Sequence, residues 1–178
     1  MAVSHRSRLY LAETEAYTDP GPDLTAGLLT TVVSGEKNSN LAPGGWVEFE
    51  DYDLQAKGWD HTVKDDDAPI VWDQLLIKAC KQIGIEASPG EKLEKWVKEA
   101  GFVNVTHRVF KMPMNVWASD PLFKKIGGLM LINGLEGLEG FSLRLLCGVL
   151  GWTEAEVHLF LVDVRKKLKD RNWHGYWD

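Results

Sequence analysis

The chain has 178 residues and a formal net charge of −6 at neutral pH, which suits one domain with a real core. Hydrophobic content of 44% and charged content of 26% are ordinary for a globular protein. The acidic balance and the lack of a basic patch argue against a nucleic-acid surface, and no apolar run approaches the roughly 18 residues that span a membrane.

Cys80 and Cys147 lie inside apolar helical patterns, with no CxxC pair or Cys/His cluster. Neither a zinc site nor a disulfide framework is predicted. A reducing compartment, cytoplasmic or nuclear, is the expectation. At the N-terminus, His5, Arg6 and Arg8 are followed by Glu13 and Glu15 and not by the apolar segment of a signal peptide.

Residues 1–40 read as an irregular N-terminal segment. Residues 9–16 suit a short helix, Asp19 to Asp23 is a breaker cluster, and residues 28–33 are a β-branched run that suits a strand. Pro43-Gly44 then suits a type II turn, with Gly44 at positive φ. The turn leads into a strand over residues 46–52, where Val47 and Phe49 alternate with Glu48 and Glu50. The strand runs out into Asp51 and Asp53, at the end of an α/β strand where ligands usually bind.

Residues 54–68 are polar, and Asp60, His61 and Asp65 to Asp67 read as solvated surface, not as a metal site. Pro69 opens a helix with Ile70, Leu76 and Ala79 on one face, ended by Gly84. Trp72 lies off the centre of that face and suits packing on a loop or the lining of a pocket. Ser88-Pro89-Gly90-Glu91 reads as a capping box. Its helix ends at Gly101, and a strand is predicted over residues 102–112. Asp120-Pro121 starts a long helix in which Gly134, Gly137 and Gly140 recur at spacing three. That row predicts close helix packing or a bare backbone surface over a substrate. A short apolar helix closed by Gly151 follows. Thr153 to Glu156 is a second capping box, opening a helix with Val157, Leu161, Val164 and Leu168 inward. Arg165 to Arg171 reads as its solvated end.

Leu41-Ala42-Pro43-Gly44-Gly45, with the strand after it, resembles the turn and fifth strand of class I S-adenosylmethionine (SAM)-dependent methyltransferases. Ala100-Gly101-Phe102 resembles that family's turn into strand six. Residues 134–141 (Gly-Leu-Glu-Gly-Leu-Glu-Gly-Phe) and the ending His174-Gly175-Tyr176-Trp177 are similar to the fungal methyltransferases related to regulators of secondary metabolism. The resemblance covers about residues 41–178. It implies an α/β, incomplete Rossmann-like methyltransferase fold, with strands five and six and C-terminal helices and with the cofactor-binding half absent. The implied cofactor is SAM, although binding by this chain alone is not expected.

The implied function is methyl transfer from SAM to an unknown acceptor. The alternative is a catalytically inactive fragment or partner-binding module. Asp51 and Asp53 are the candidate acceptor-side acids, Tyr52, Trp117 and His174 the candidate substrate-pocket walls, and no cofactor-binding or metal-binding residue is assigned. By the same resemblance, a last strand should lie between strands five and six, starting where His174-Gly175-Tyr176-Trp177 ends the chain. Residues 28–33 are expected to fill that gap antiparallel to strand five, or else to leave an open edge through which the protein associates. No nucleic-acid or membrane partner is expected.

Overall fold

The computed structural model describes residues 8–14 and 44–178. In chain order the elements are β1 (Arg8–Thr14), β2 (Trp46–Asp51), β3 (Lys57–Gly58), α1 (Ala68–Gln82), α2 (Gly90–Glu99), β4 (Phe102–Val109), β5 (Met112–Pro113), α3 (Pro121–Ser142), α4 (Glu154–Leu168) and β6 (Gly175–Trp177). A π-helical turn over Leu143–Cys147 extends α3. The described residues are therefore α/β, with two small antiparallel sheets and four helices.

The main sheet has the order β2-β1-β4. Gly44, at φ +78°, turns the chain into β2 as the Pro-Gly dipeptide predicts; Pro43 lies outside the described residues. β1 runs antiparallel to both neighbours, pairing Arg8 with Asp51 and Glu13 with Trp46 on one side and Thr14 with Phe102 on the other. The β1–β4 register shifts between Leu11 and Glu13. Asn104, at φ 53°, lies on β4 opposite that shift, in the left-handed conformation that Asn tolerates better than most residues.

Two expectations are corrected here. Part of the segment read as a helix, residues 9–16, is strand. It occupies the gap between the two predicted strands, so no open edge remains there. A short isolated helix is marginal in water, whereas a slot between two strands offers a hydrogen-bonded row on each side. Residues 28–33, expected in that slot, lie outside the described residues.

Helix α2 covers one face of this sheet, and Leu93 and Val97 pack there with Phe49, Ala100 and Phe102. The predicted capping box at Ser88 does not form. The N-cap is Pro89, the buried Ser88 hydroxyl has no partner among the described residues, and the Gly90 N–H donates to Asp53 Oδ1 at 2.8 Å. A carboxylate thirty-seven positions away thus caps the helix, with the charge that its N-terminal dipole favours.

The predicted strand over 102–112 divides in two. β4 stops at Val109, and Met112-Pro113 joins the second sheet, of order β3-β6-β5. β6, the His-Gly-Tyr-Trp ending, thus lies in this sheet and not between β2 and β4. The larger core lies between α1, α3, α4 and this sheet, and includes Trp72, Leu76, Leu138, Leu161 and Trp173. Trp72 is buried in it and donates from Nε1 to Ser142 Oγ at 2.8 Å. With Met130 and Trp177 it also borders a cavity of about 10 Å³. The second capping box forms as read, with Thr153 and Glu156 exchanging hydrogen bonds at the start of α4.

Of the two readings of the glycine row on α3, close helix packing is corrected. A Cβ at Gly134 or Gly140 would meet nothing within 4 Å, and one at Gly137 would meet only Phe141 of the same helix. The close approach is at Gly127, where a Cβ would overlap the Asn115 carbonyl. Gly127→Ala should therefore destabilise by about 2–3 kcal/mol, because backbone must shift. Gly140→Ala should stabilise by roughly 0.5–1 kcal/mol through helix propensity. Urea unfolding of the two variants checks this; equal effects would contradict it.

Candidate functional site

β6 ties the site together through its backbone and through side chains on both faces. The Met114 N–H and the Trp117 indole donate to the Gly175 carbonyl, each at 3.0 Å. The Trp59 N–H donates to the His174 carbonyl at 2.9 Å, and the Asp53 N–H to the Asp178 carbonyl at 3.1 Å. Gly175 can only be glycine, since a Cβ would enter the buried Trp173 ring. Buried Asn115 locks the loop before α3 against the chain end, donating to the carbonyls of Asp170 and Trp173 at 3.1 Å.

Successive side chains of a strand point to opposite faces, and β6 sorts the predicted pocket walls accordingly. On one face, Tyr176 meets Trp59 with ring centroids 5.8 Å apart. Trp59 meets Trp117 at 5.5 Å, and Trp117 stacks on His174 at 5.0 Å. On the other face, Trp177 meets Tyr52 at 6.0 Å. The structure thus brings Trp117 and His174 together and sets Tyr52 apart from them.

His174 Nδ1 lies 2.6 Å from Asp60 Oδ2. The Thr62 hydroxyl first, then His174, hold the Asp60 carboxyl well below the usual carboxylate range. Burial raises the Asp67 carboxyl, but the Lys64 N–H, the Lys167 side chain and the Trp173 indole outweigh it, and its pKa is lowered. Asp67 thereby pairs with Lys167 at 2.9 Å. Among the described residues no cluster of His, Cys, Asp and Glu could hold a metal ion.

The two acceptor-side acids differ. Asp53 is buried and caps α2. Asp51, at the end of β2, accepts the Tyr52 N–H at 2.8 Å. Burial raises its pKa, the Tyr52 N–H opposes this, and the Asp53 charge adds to it. The Tyr52 phenol is likewise raised, by burial and then by the charges of Asp51 and Asp73.

Sequence reading missed Asp73. It is 2% exposed, and its Oδ2 accepts the Ala56 N–H at 2.7 Å and the Trp177 indole N–H at 3.0 Å. Oδ1 is buried without a partner among the described residues. Burial pushes its pKa up to about 7, against the lowering effect of those two hydrogen bonds. A signal was available: Asp73 lies on one helical stripe with Pro69, Leu76 and Cys80, all buried. Trp59, Tyr176 and Lys111 were missed too. They come from three distant segments, and no local pattern joins them.

The chain is similar to Methyltransferase pytC of Aspergillus terreus, 37% identical over 140 residues, which are 79% of this chain and 43% of that protein. It is 36% identical to Probable methyltransferase tdiE of Emericella nidulans over 139 residues, 78% of this chain and 44% of that one. It is 29% identical to Secondary metabolism regulator LAE1 of Cochliobolus heterostrophus, over 78% of this chain and 46% of that protein. The chain thus spans less than half the length of these relatives. No family model and no solved structure matches it. Its homologues are fungal methyltransferases and secondary-metabolism regulators, whose C-terminal part it matches over about 78% of its own length at 22–37% identity.

Proposed function

We propose that the protein is a SAM-dependent methyltransferase of Rossmann-like fold, and that this chain supplies its acceptor side. The observation that carries the reading is the 36–37% identity to proteins named methyltransferase. SAM supplies the methyl group in such chemistry. The helix N-terminus beside the end of β2 is filled by Asp53, so that end is not open to the cofactor's carboxylate.

Methyl transfer needs mainly a held acceptor, and a base where the acceptor loses a proton. Asp51, with its raised pKa at the strand end, is the better base of the two acids, because Asp53 is committed to α2. Tyr52 lies next to Asp51 and lines the same edge. Trp117 and His174 lie on the other face of β6 and line a separate aromatic surface.

The same commitment of Asp53 favours a second reading for the chain acting alone, a catalytically inactive partner-binding module. Isothermal titration of the isolated chain with SAM tests the assignment of sides. No saturable binding is expected, and one-to-one binding tighter than about 10 μM, roughly −7 kcal/mol, would overturn it. Transcript sequencing upstream of codon 41 tests the choice between readings. An in-frame glycine-rich segment supports the methyltransferase; its absence supports the module.

A further inference from the structure

We propose that Trp59 and Tyr176 form a surface cation site, that Lys111 is its resident occupant, and that it takes a methylated ammonium group when Lys111 swings out. The Lys111 ammonium lies 4.9 Å from the Trp59 ring centroid and 4.7 Å from that of Tyr176. Both lie within the roughly 6 Å over which a ring face attracts a cation. The two rings meet at 76°, so a cation in the corner between them sees both faces.

The corner is built rather than incidental. The Trp59 backbone is tied to His174. Its ring rests on Trp117, whose indole is in turn fixed to Gly175. Tyr176 is buried within the second sheet, while Trp59 is 53% exposed and open to a ligand. Lys111 sits on the exposed link between β4 and β5, on a flexible four-carbon stem. Among the described residues its ammonium makes no ion pair, and the rings alone hold it. Lys is strongly hydrated and gains less from a ring than a methylated ammonium, which gives up less water. The acidic net charge of the chain favours a cation further. The site does not depend on methyl transfer and can be tested without it.

The test is a titration of the chain with choline, followed by NMR at the Trp59 indole N–H, which Trp59→Phe assigns. Saturable shifts with a Kd on the order of 1–10 mM are expected. The neutral isostere 3,3-dimethylbutanol should not saturate over that range. Lys111→Met keeps the stem, removes the resident charge and should tighten choline binding about threefold. Trp59→Ala should abolish the choline shifts of the neighbouring Trp117 indole N–H, and the remaining indole signals report whether that variant stays folded. Affinity unchanged in Lys111→Met, or equal binding by the neutral isostere, overturns the proposal. Choline against Nε-trimethyllysine then separates a free metabolite from a modified side chain. Preference for either supports the site, and binding of neither overturns it.

Discussion

Asp73→Asn should remove a fall in stability that the parent chain shows as pH rises from about 4 to about 7. Burial pushes the folded-state pKa of Asp73 up to about 7, against 3.8 for an unperturbed carboxyl. In that interval the folded chain keeps the proton and the unfolded chain has lost it. The unfolded state therefore binds fewer protons, and stability falls with rising pH. Above pH 7 both states are ionised, and the folded state carries the full cost of a buried charge. Three pKa units correspond to on the order of 4 kcal/mol.

The proton belongs on Oδ1, because Oδ2 already accepts from Ala56 and Trp177. Asparagine reproduces that arrangement, with its oxygen accepting both N–H groups and its amide where the acid's O–H was. At pH 4 the two proteins should differ by about 1 kcal/mol or less. At pH 8 the variant should be the more stable by about 2–4 kcal/mol. Asp60, Asp67 and Glu86 have lowered pKa values and contribute the opposite slope in acid, so the readout is the difference between the two proteins. Urea unfolding at several pH values supplies it, and parallel curves would sink the assignment.

Leu161→Ala should destabilise the fold by about 2–5 kcal/mol, from lost apolar transfer and an unfilled cavity. Leu161 is 0% exposed on the inner face of α4, in the core that contains Leu138, Leu146 and Trp173. For a chain of this size, that corresponds to a drop of roughly 5–15 °C in the thermal midpoint. Leu159 is the internal control. It lies on the same helix at 75% exposure, so Leu159→Ala removes the same atoms from water and should stay within about 0.5 kcal/mol of the parent. Similar losses in the two variants would show that burial does not govern the effect at Leu161, since Leu→Ala costs no helix propensity.

Local chemistry was legible in the sequence wherever the deciding partners are near in the chain. Thr153 and Glu156 are three residues apart, and their capping box forms as read. Asp120 caps the helix that Pro121 opens, accepting from Leu122 and Phe123. The inward face of α4 follows from helical period alone, and Val157, Leu161, Val164 and Leu168 are all buried. The likeness to fungal methyltransferases and secondary-metabolism regulators was legible too, from short motifs spread over the C-terminal three-quarters.

What the sequence could not decide rests on partners brought together from far away. Residues 9–16 carry a pattern that suits a helix, and only two waiting strands make Arg8–Thr14 a strand. Ser88 has the right spacing for a cap, yet Asp53 arrives from the end of β2 with a full charge and takes the Gly90 N–H. Spacing three placed Gly134, Gly137 and Gly140 on one face, but the element that packs against α3 meets Gly127. The raised pKa of Asp73 needs the surrounding core, and the aromatic corner around Lys111 needs three segments in register. Hydrogen bonds within one turn are set by the local chain, whereas desolvation, ladder pairing and ring contacts depend on what folding places alongside.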